Sequence, residues 1–383
     1  MRIPPHHRSQ ILAARHGSII RSAFRLVTVA PVATGLRPRE LLELGLAAAA
    51  VLAAGIAHFA GLTPVLAFAV AAGAIAVLAR LVGLATEQLG ARLGSGSAAV
   101  IQSALGNLPE LFIALFALSA GLVEVVQAAL VGSILANSLL VLGLAFVAGG
   151  LKHGVQTFHS PQARMIATLT ALAAAVMAVP TLAHTFHAPA AAHSRTLSLI
   201  CAGVLLAIFL ITLRGFISGT PADEGTQQRP RWSLAATIVV LTASGVAAAF
   251  VSDWFVKALE PATKTLHMSQ AFAGLVVVAI AGNAVENVVG VQLAARNRPD
   301  FAITVILSSS LQIALALTPL LVFASLFFAT SLTLVFPILL AIALLMTAGI
   351  GALVVYDGES TWQEGAILIG LYVVLAASFW WGA

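Results

Sequence analysis

Eleven stretches of mostly apolar residues, centred near residues 50, 73, 108, 137, 173, 206, 243, 281, 314, 343 and 372, occupy almost all of this chain. Each comes close to the roughly 20 residues that a helix needs to cross a bilayer. The gaps between them are too short for a sizeable soluble domain. With 60% hydrophobic and 9% charged residues over 383 positions, the chain has too little polar surface to cover a soluble globule. The expected class is an all-α integral membrane protein of about eleven transmembrane helices.

Charge placement gives the expected orientation. With the N-terminus cytoplasmic, sixteen of the nineteen basic residues fall on the inner side, and Arg195, Lys257 and Lys264 fall outside. The opposite orientation inverts that bias, and an odd number of spans puts the C-terminus outside. The net charge of +5 follows from this topology and needs no nucleic-acid partner. Residues 1–40 form a basic tail that lacks the apolar core and cleavage site of a secretory signal. Cys201 is the single cysteine, so no intramolecular disulfide is possible. Composition and compact loops point to a bacterial inner membrane.

Within the apolar stretches one short motif occurs twice. Gly106–Leu111 reads GNLPEL and Gly282–Asn287 reads GNAVEN, and each copy places a glutamate, Glu110 or Glu286, in an otherwise apolar run. Ionisable groups at membrane depth are costly and mark ion or proton pathways. The repeat extends further, because Asn107 to Ser133 and Asn283 to Ser309 are both 26 positions apart, a common offset of 176 residues. The expected organisation is the tail (1–40), a first helix (41–62), a five-helix repeat (63–217), a linker (218–232) and a second five-helix repeat (233–383). An odd number of helices per copy turns the second copy upside down, the inverted-repeat plan of many secondary transporters, with the ion site between copies near the midplane.

The residue types suit an ion carrier. Gly106, Pro109 and Gly282 weaken the helix just ahead of each carboxylate, and backbone freed at membrane depth is tolerated where it lines a cavity. Asn107 and Asn283 add amide oxygens, while Ser133, Asn137, Ser309 and Gln312 place further oxygens on the following helices. All are hard donors suited to calcium, and no Cys or His lies in the motif helices to favour zinc or copper. A divalent cation and protons compete for two opposed carboxylates, so the binding of one expels the other.

These residues carry a resemblance. Thr86–Gly143 and Gly282–Leu315 resemble the two signature regions of the calcium/proton exchangers within the calcium/cation antiporter superfamily. The resemblance implies a secondary active antiporter that exports calcium in exchange for protons by alternating access, with no cofactor. It also implies Glu110 and Glu286 as central ligands, Asn107 and Asn283 shaping the site, and Ser133, Ser309 and Gln312 along the path. Two departures stand out: Leu108 and Pro109 replace the usual Ala-Thr before the first glutamate, and Asn287 stands where His is common. Ion selectivity and proton stoichiometry therefore do not carry over from the resemblance.

The alternative within this architecture is sodium or potassium exchange for protons, which two carboxylates also support. A channel suits an occluded carboxylate pair less well, and an intramembrane hydrolase would need a nucleophile–base pair or an HExxH motif, neither of which is present. Glu87, near Arg92, is a candidate for guiding cations on the inner side, against the plainer reading of a helix-end ion pair. His153, His159, His184, His187 and His193 have no ligand spacing and read as loop residues. Trp380 and Trp381 read as an interfacial aromatic belt, and the linker, with only Asp223 and Glu224 as acids, as a plain connector.

Overall fold

The computed structural model describes residues 35–92, 105–159, 161–218 and 230–382, and the side chains of residues 214–218, Val285 and Glu286 lie outside the described set. Most of the expected tail and linker, including Asp223 and Glu224, is likewise outside the described residues. The chain runs through α1 (Pro38–Phe59), α2 (Pro64–Gly90), α3 (Leu108–Ser119), α4 (Val123–His153), α5 (Pro161–Thr185), α6 (Ser194–Ser218) and α7 (Leu234–Leu266). It continues through α8 (Gln270–Gly282), α9 (Ala284–Ala294), α10 (Pro299–Phe327), α11 (Ile338–Tyr356) and α12 (Trp362–Ser378). Three of these helices contain π-helical segments: Ala136–Val141 in α4, Ala273–Val278 in α8 and Ile313–Leu317 in α10.

Among the described residues, eight helices are long and apolar enough to cross a membrane, or nine if α8 and α9, bent by 65°, form one broken span. The remaining apolar helices, α3 and α12, have 12 and 17 residues. The sequence predicts eleven crossings, and the difference arises where Asn107 and Asn283 interrupt the helices and where α12 is short. Helix starts are set by local chemistry. Ser233 Oγ accepts from Ala236 N at 3.1 Å, Ser269 Oγ from Phe272 N at 2.9 Å, and Thr361 and Glu364 satisfy each other's backbone N–H groups.

Lipid supplies no hydrophobic drive between helices, so their association depends on close packing at small residues. α4 meets α8 at Gly132 and Gly274, where a Cβ on Gly132 would stand 2.4 Å from Leu275 Cα and one on Gly274 2.4 Å from the Val125 carbonyl oxygen. Further along, α4 meets α12 through Gly143 and Gly365, each too close to the other's carbonyl for a side chain. α4 is thereby buried along most of its length, whereas Leu52, Ile56, Ile211, Leu353 and Val374 on peripheral helices are exposed, as lipid-facing side chains are.

The connections segregate to two ends. At one end Arg231 pairs with Glu40 at 3.2 Å, and the Arg231 and Trp232 amides donate to Gln88 Oε1 at 2.9 and 3.3 Å. There too β1 (Gln156–Thr157) pairs antiparallel with β2 (Glu359–Ser360), and Gln156 Nε2 donates to the Ala294 carbonyl at 3.1 Å. At the other end the segment between α10 and α11 is buried at Leu332, Leu334 and Phe336 and fastened by three helices. Gln127 Nε2 donates to the Thr333 and Val335 carbonyls, both at 2.9 Å, while the Leu334 amide donates to Ser198 Oγ and the Phe336 amide to Thr181 Oγ1. The aromatic pair at the end of α12 divides: Trp380 packs on Phe272 with ring centroids 4.7 Å apart, and Trp381 is exposed.

Candidate functional site

The two motif copies reach the centre of the bundle in matching backbone form. Asn107 has φ −94° and ψ 17°, and Asn283 has φ −103° and ψ 20°, so each leaves the helical region just before α3 and α9 begin. Pro109 suits the first turn of α3, where its missing N–H leaves no intrahelical bond unmade. The two interruptions meet: a Cβ on Gly282 would lie 3.3 Å from Glu110 Cβ. A larger residue at 282 would press directly on the carboxylate arm.

Glu110 is buried at 2% exposure and heads a chain of polar side chains that crosses between the copies. Ser133 Oγ on α4 donates to Glu110 Oε1 and accepts from Asn283 Nδ2 at 3.1 Å. Asn283 Oδ1 accepts from Ser309 Oγ on α10 at 3.2 Å, and Ser309 Oγ accepts from Asn137 Nδ2 at 3.0 Å. Beside this chain, Ser138 and Ser310 hydrogen-bond across the same helix pair at 3.2 Å. Ser133, Asn137, Asn283 and Ser309 are all buried, so in place of water they rely on one another.

Of the residues singled out in the sequence, Glu110, Ser133, Asn137, Asn283, Ser309 and Gly282 converge. Asn107 is buried next to them without a side-chain hydrogen bond among the described residues, and Gly106 lies in the turn ahead of it. The Glu286 backbone is in the first turn of α9, and its side chain is outside the described residues. Gln312 is half-buried and makes no side-chain hydrogen bond among the described residues. Glu87 is exposed on α2 and outside this network, and the neighbouring Arg92 donates to the Trp232 carbonyl. The Ser138–Ser310 pair escaped the sequence reading; the only signal for it was a serine directly following Asn137 and another directly following Ser309 in apolar runs.

Oxygen chemistry dominates what this arrangement can hold. Among the described residues no group of three or more His, Cys, Asp or Glu side chains converges. Asn137 Oδ1 is a buried acceptor with no donor among the described residues, so a hard oxygen remains open to a cation or a water at the end of the chain. On the side facing Ala117 and Val125, Glu110 borders a cavity of about 10 Å³ lined otherwise by apolar side chains. That is room for about one water and too little for a hydrated cation.

The sodium/calcium exchanger protein family matches residues 63–217 and again 236–381. The chain belongs to that family. Its members that resemble this chain include the Ca2+/H+ antiporter ChaA of Bacillus subtilis, 34% identical over 319 residues, covering 82% of this chain and 91% of the relative. A Ca2+/H+ antiporter of Synechocystis is 32% identical and covers 84% of this chain and 93% of its own. Among solved structures, native YfkE superimposes with a TM-score of 0.76 at 31% identity, over 88% of this chain and 99% of YfkE. These likenesses place the chain with the calcium/proton exchangers of the family, which are transporters and not enzymes.

Proposed function

We propose that this chain is a secondary active antiporter that moves calcium out of the cytoplasm in exchange for protons. The observation that carries the reading is the buried Glu110 carboxylate joined through Ser133 to Asn283 and Ser309 of the second motif copy. The names of the relatives support calcium and protons as the exchanged ions. Glu110 and Glu286 form the central pair, with Asn107 and Asn283 completing an oxygen cage and Ser133, Asn137, Ser309 and Gln312 along the path. Protons and calcium compete for that cage, and alternating exposure of it to the two sides couples their opposite movements.

The finer architecture belongs to the same proposal. Eleven crossings arise if α3 and α12 are each counted as one and α8–α9 together as one. α3, α4 and their π segment stand at the 176-residue offset from α9, α10 and theirs, which supports two copies of one unit. The basic side chains of Arg37, Arg39, Arg92, Lys152, Arg231 and Arg296 gather at the end of the bundle that holds β1 and β2. We assign that end to the cytoplasm and the C-terminus to the outside of a bacterial inner membrane.

The test is calcium uptake into proteoliposomes under an imposed pH gradient, with sodium and potassium in parallel. Calcium movement coupled to proton flux and lost in Glu110→Gln supports the reading. Proton flux evoked only by sodium or potassium would transfer the function to monovalent exchange, and coupled calcium transport that survives Glu110→Gln would sink the site.

A further inference from the structure

A second cleft, outside the glutamate site, lies at the basic end of the bundle between α1, α2 and α9. It encloses about 540 Å³ and is lined by Leu42, Leu46, Val77 and Val288 together with Arg39, Glu43 and Arg80. Its charge is lopsided. Glu43 is already engaged by Arg80, whose Nη2 and Nε donate to the same carboxylate oxygen at 2.6 and 3.2 Å. Arg39 is exposed and makes no ion pair or side-chain hydrogen bond among the described residues. Two guanidinium groups against one carboxylate leave the cleft with a net positive charge, which disfavours a cation and favours an anion.

We infer that this cleft binds an anionic phospholipid of the adjoining leaflet, its phosphate on Arg39 and Arg80 and an acyl chain along the apolar wall. Guanidinium is suited to phosphate because its fork of N–H donors matches the oxygens. Glu43 lies five positions, roughly 7 Å, inside the start of α1, and its partner Arg80 lies inside α2, so the charged pair adjoins the apolar wall of the cleft. Ala284 and Val288 close the far wall, and they sit on the helix that carries Glu286. An occupant therefore touches the transport machinery without touching the transported ion.

The experiment is lipid retention by the purified full-length chain, read by native mass spectrometry after exposure to mixed phosphatidylcholine and phosphatidylglycerol. Preferential phosphatidylglycerol adducts are expected. Arg39→Gln should weaken them about fivefold, the effect of one basic side chain at an anionic surface, while Arg296→Gln at the same end leaves them unchanged. Val77→Trp, which narrows the cleft along its apolar wall without altering charge, should weaken them. Equal retention of both lipids, an equal loss with Arg296→Gln, or no loss with Arg39→Gln would overturn the inference. Displacement of the lipid by inorganic phosphate alone would also overturn it, because the site would then recognise a free anion.

Discussion

The two motif copies share a backbone and divide the side-chain work unequally. Both interrupt their helices at an asparagine of nearly the same φ and ψ, both place a serine 26 residues later, and both insert a π segment just after it. The side chains then part. Position 137 is Asn in the first copy, and its counterpart at the 176-residue offset, Ile313, is apolar. Ser309 of the second copy therefore takes its donor from Asn137 of the first, and Asn283 of the second reaches Ser133 of the first. Symmetric backbone with asymmetric donors makes the polar chain alternate between bonds within a copy and bonds across to the other. Neither half could assemble the site alone.

The largest effects should come from the carboxylates. Since groups one step removed from a bound metal cost about 10–100-fold when lost, Glu110→Gln and Glu286→Gln should each lower coupled calcium transport by about a hundredfold or more in proteoliposomes. A markedly weaker effect at 286 would show that the copies are not equivalent as ligands. Packing comes next. Gly132→Ala should destabilise the protein by about 1–3 kcal/mol through overpacking against Leu275, seen as a lower Tm in detergent, whereas Ser308→Ala at the equivalent position should shift it little. If both melt alike, the approach of Gly132 to Leu275 is not a tight contact.

Smaller effects separate the serines. Each serine bonds Asn283; beyond that, Ser133→Ala removes a hydrogen bond to a carboxylate, worth about 1.5–3 kcal/mol, and Ser309→Ala one from the neutral Asn137 amide, worth about 0.5–1.5 kcal/mol. Half-saturating calcium should thus move by about tenfold or more in the first variant and a few-fold in the second, and a reversed order would break the asymmetry argued from the contacts. Least of all, Asn137→Leu should cost a few-fold in the same transport assay, in line with one neutral hydrogen bond. Rescue by Ile313→Asn in that background would show that either copy can supply the donor.

The sequence made the broad architecture and much of the site legible for a physical reason: apolar length and intramembrane charge are properties of a single segment. Glu110, Asn283 and the serines stand out because each is polar in an apolar run, and the common 26-residue spacing pairs them before any fold is known. What it could not give was tertiary approach. Gly132 and Gly274 look like ordinary helix glycines until α4 and α8 touch, and Ser138–Ser310 needs the crossing of α4 with α10. The breaks were legible only as weak points: Gly106, Pro109 and Gly282 mark where a helix is easily interrupted, and the structure places the first turn at Asn107, just before α3. Glu87 drew attention as a charge near Arg92, but Arg92 is taken by a backbone carbonyl that no linear reading could place there.

The fastening of Thr333–Phe336 has a practical side for anyone labelling this protein. Its amides and carbonyls depend on Gln127, Thr181 and Ser198, so an epitope inserted there would undo contacts from three helices at once. The short 3₁₀ turn at Pro189–His193 lies at the same end, and none of its residues is buried. An epitope placed in that turn would leave the bundle intact and report, by antibody access to sealed cells, which face of the membrane it occupies.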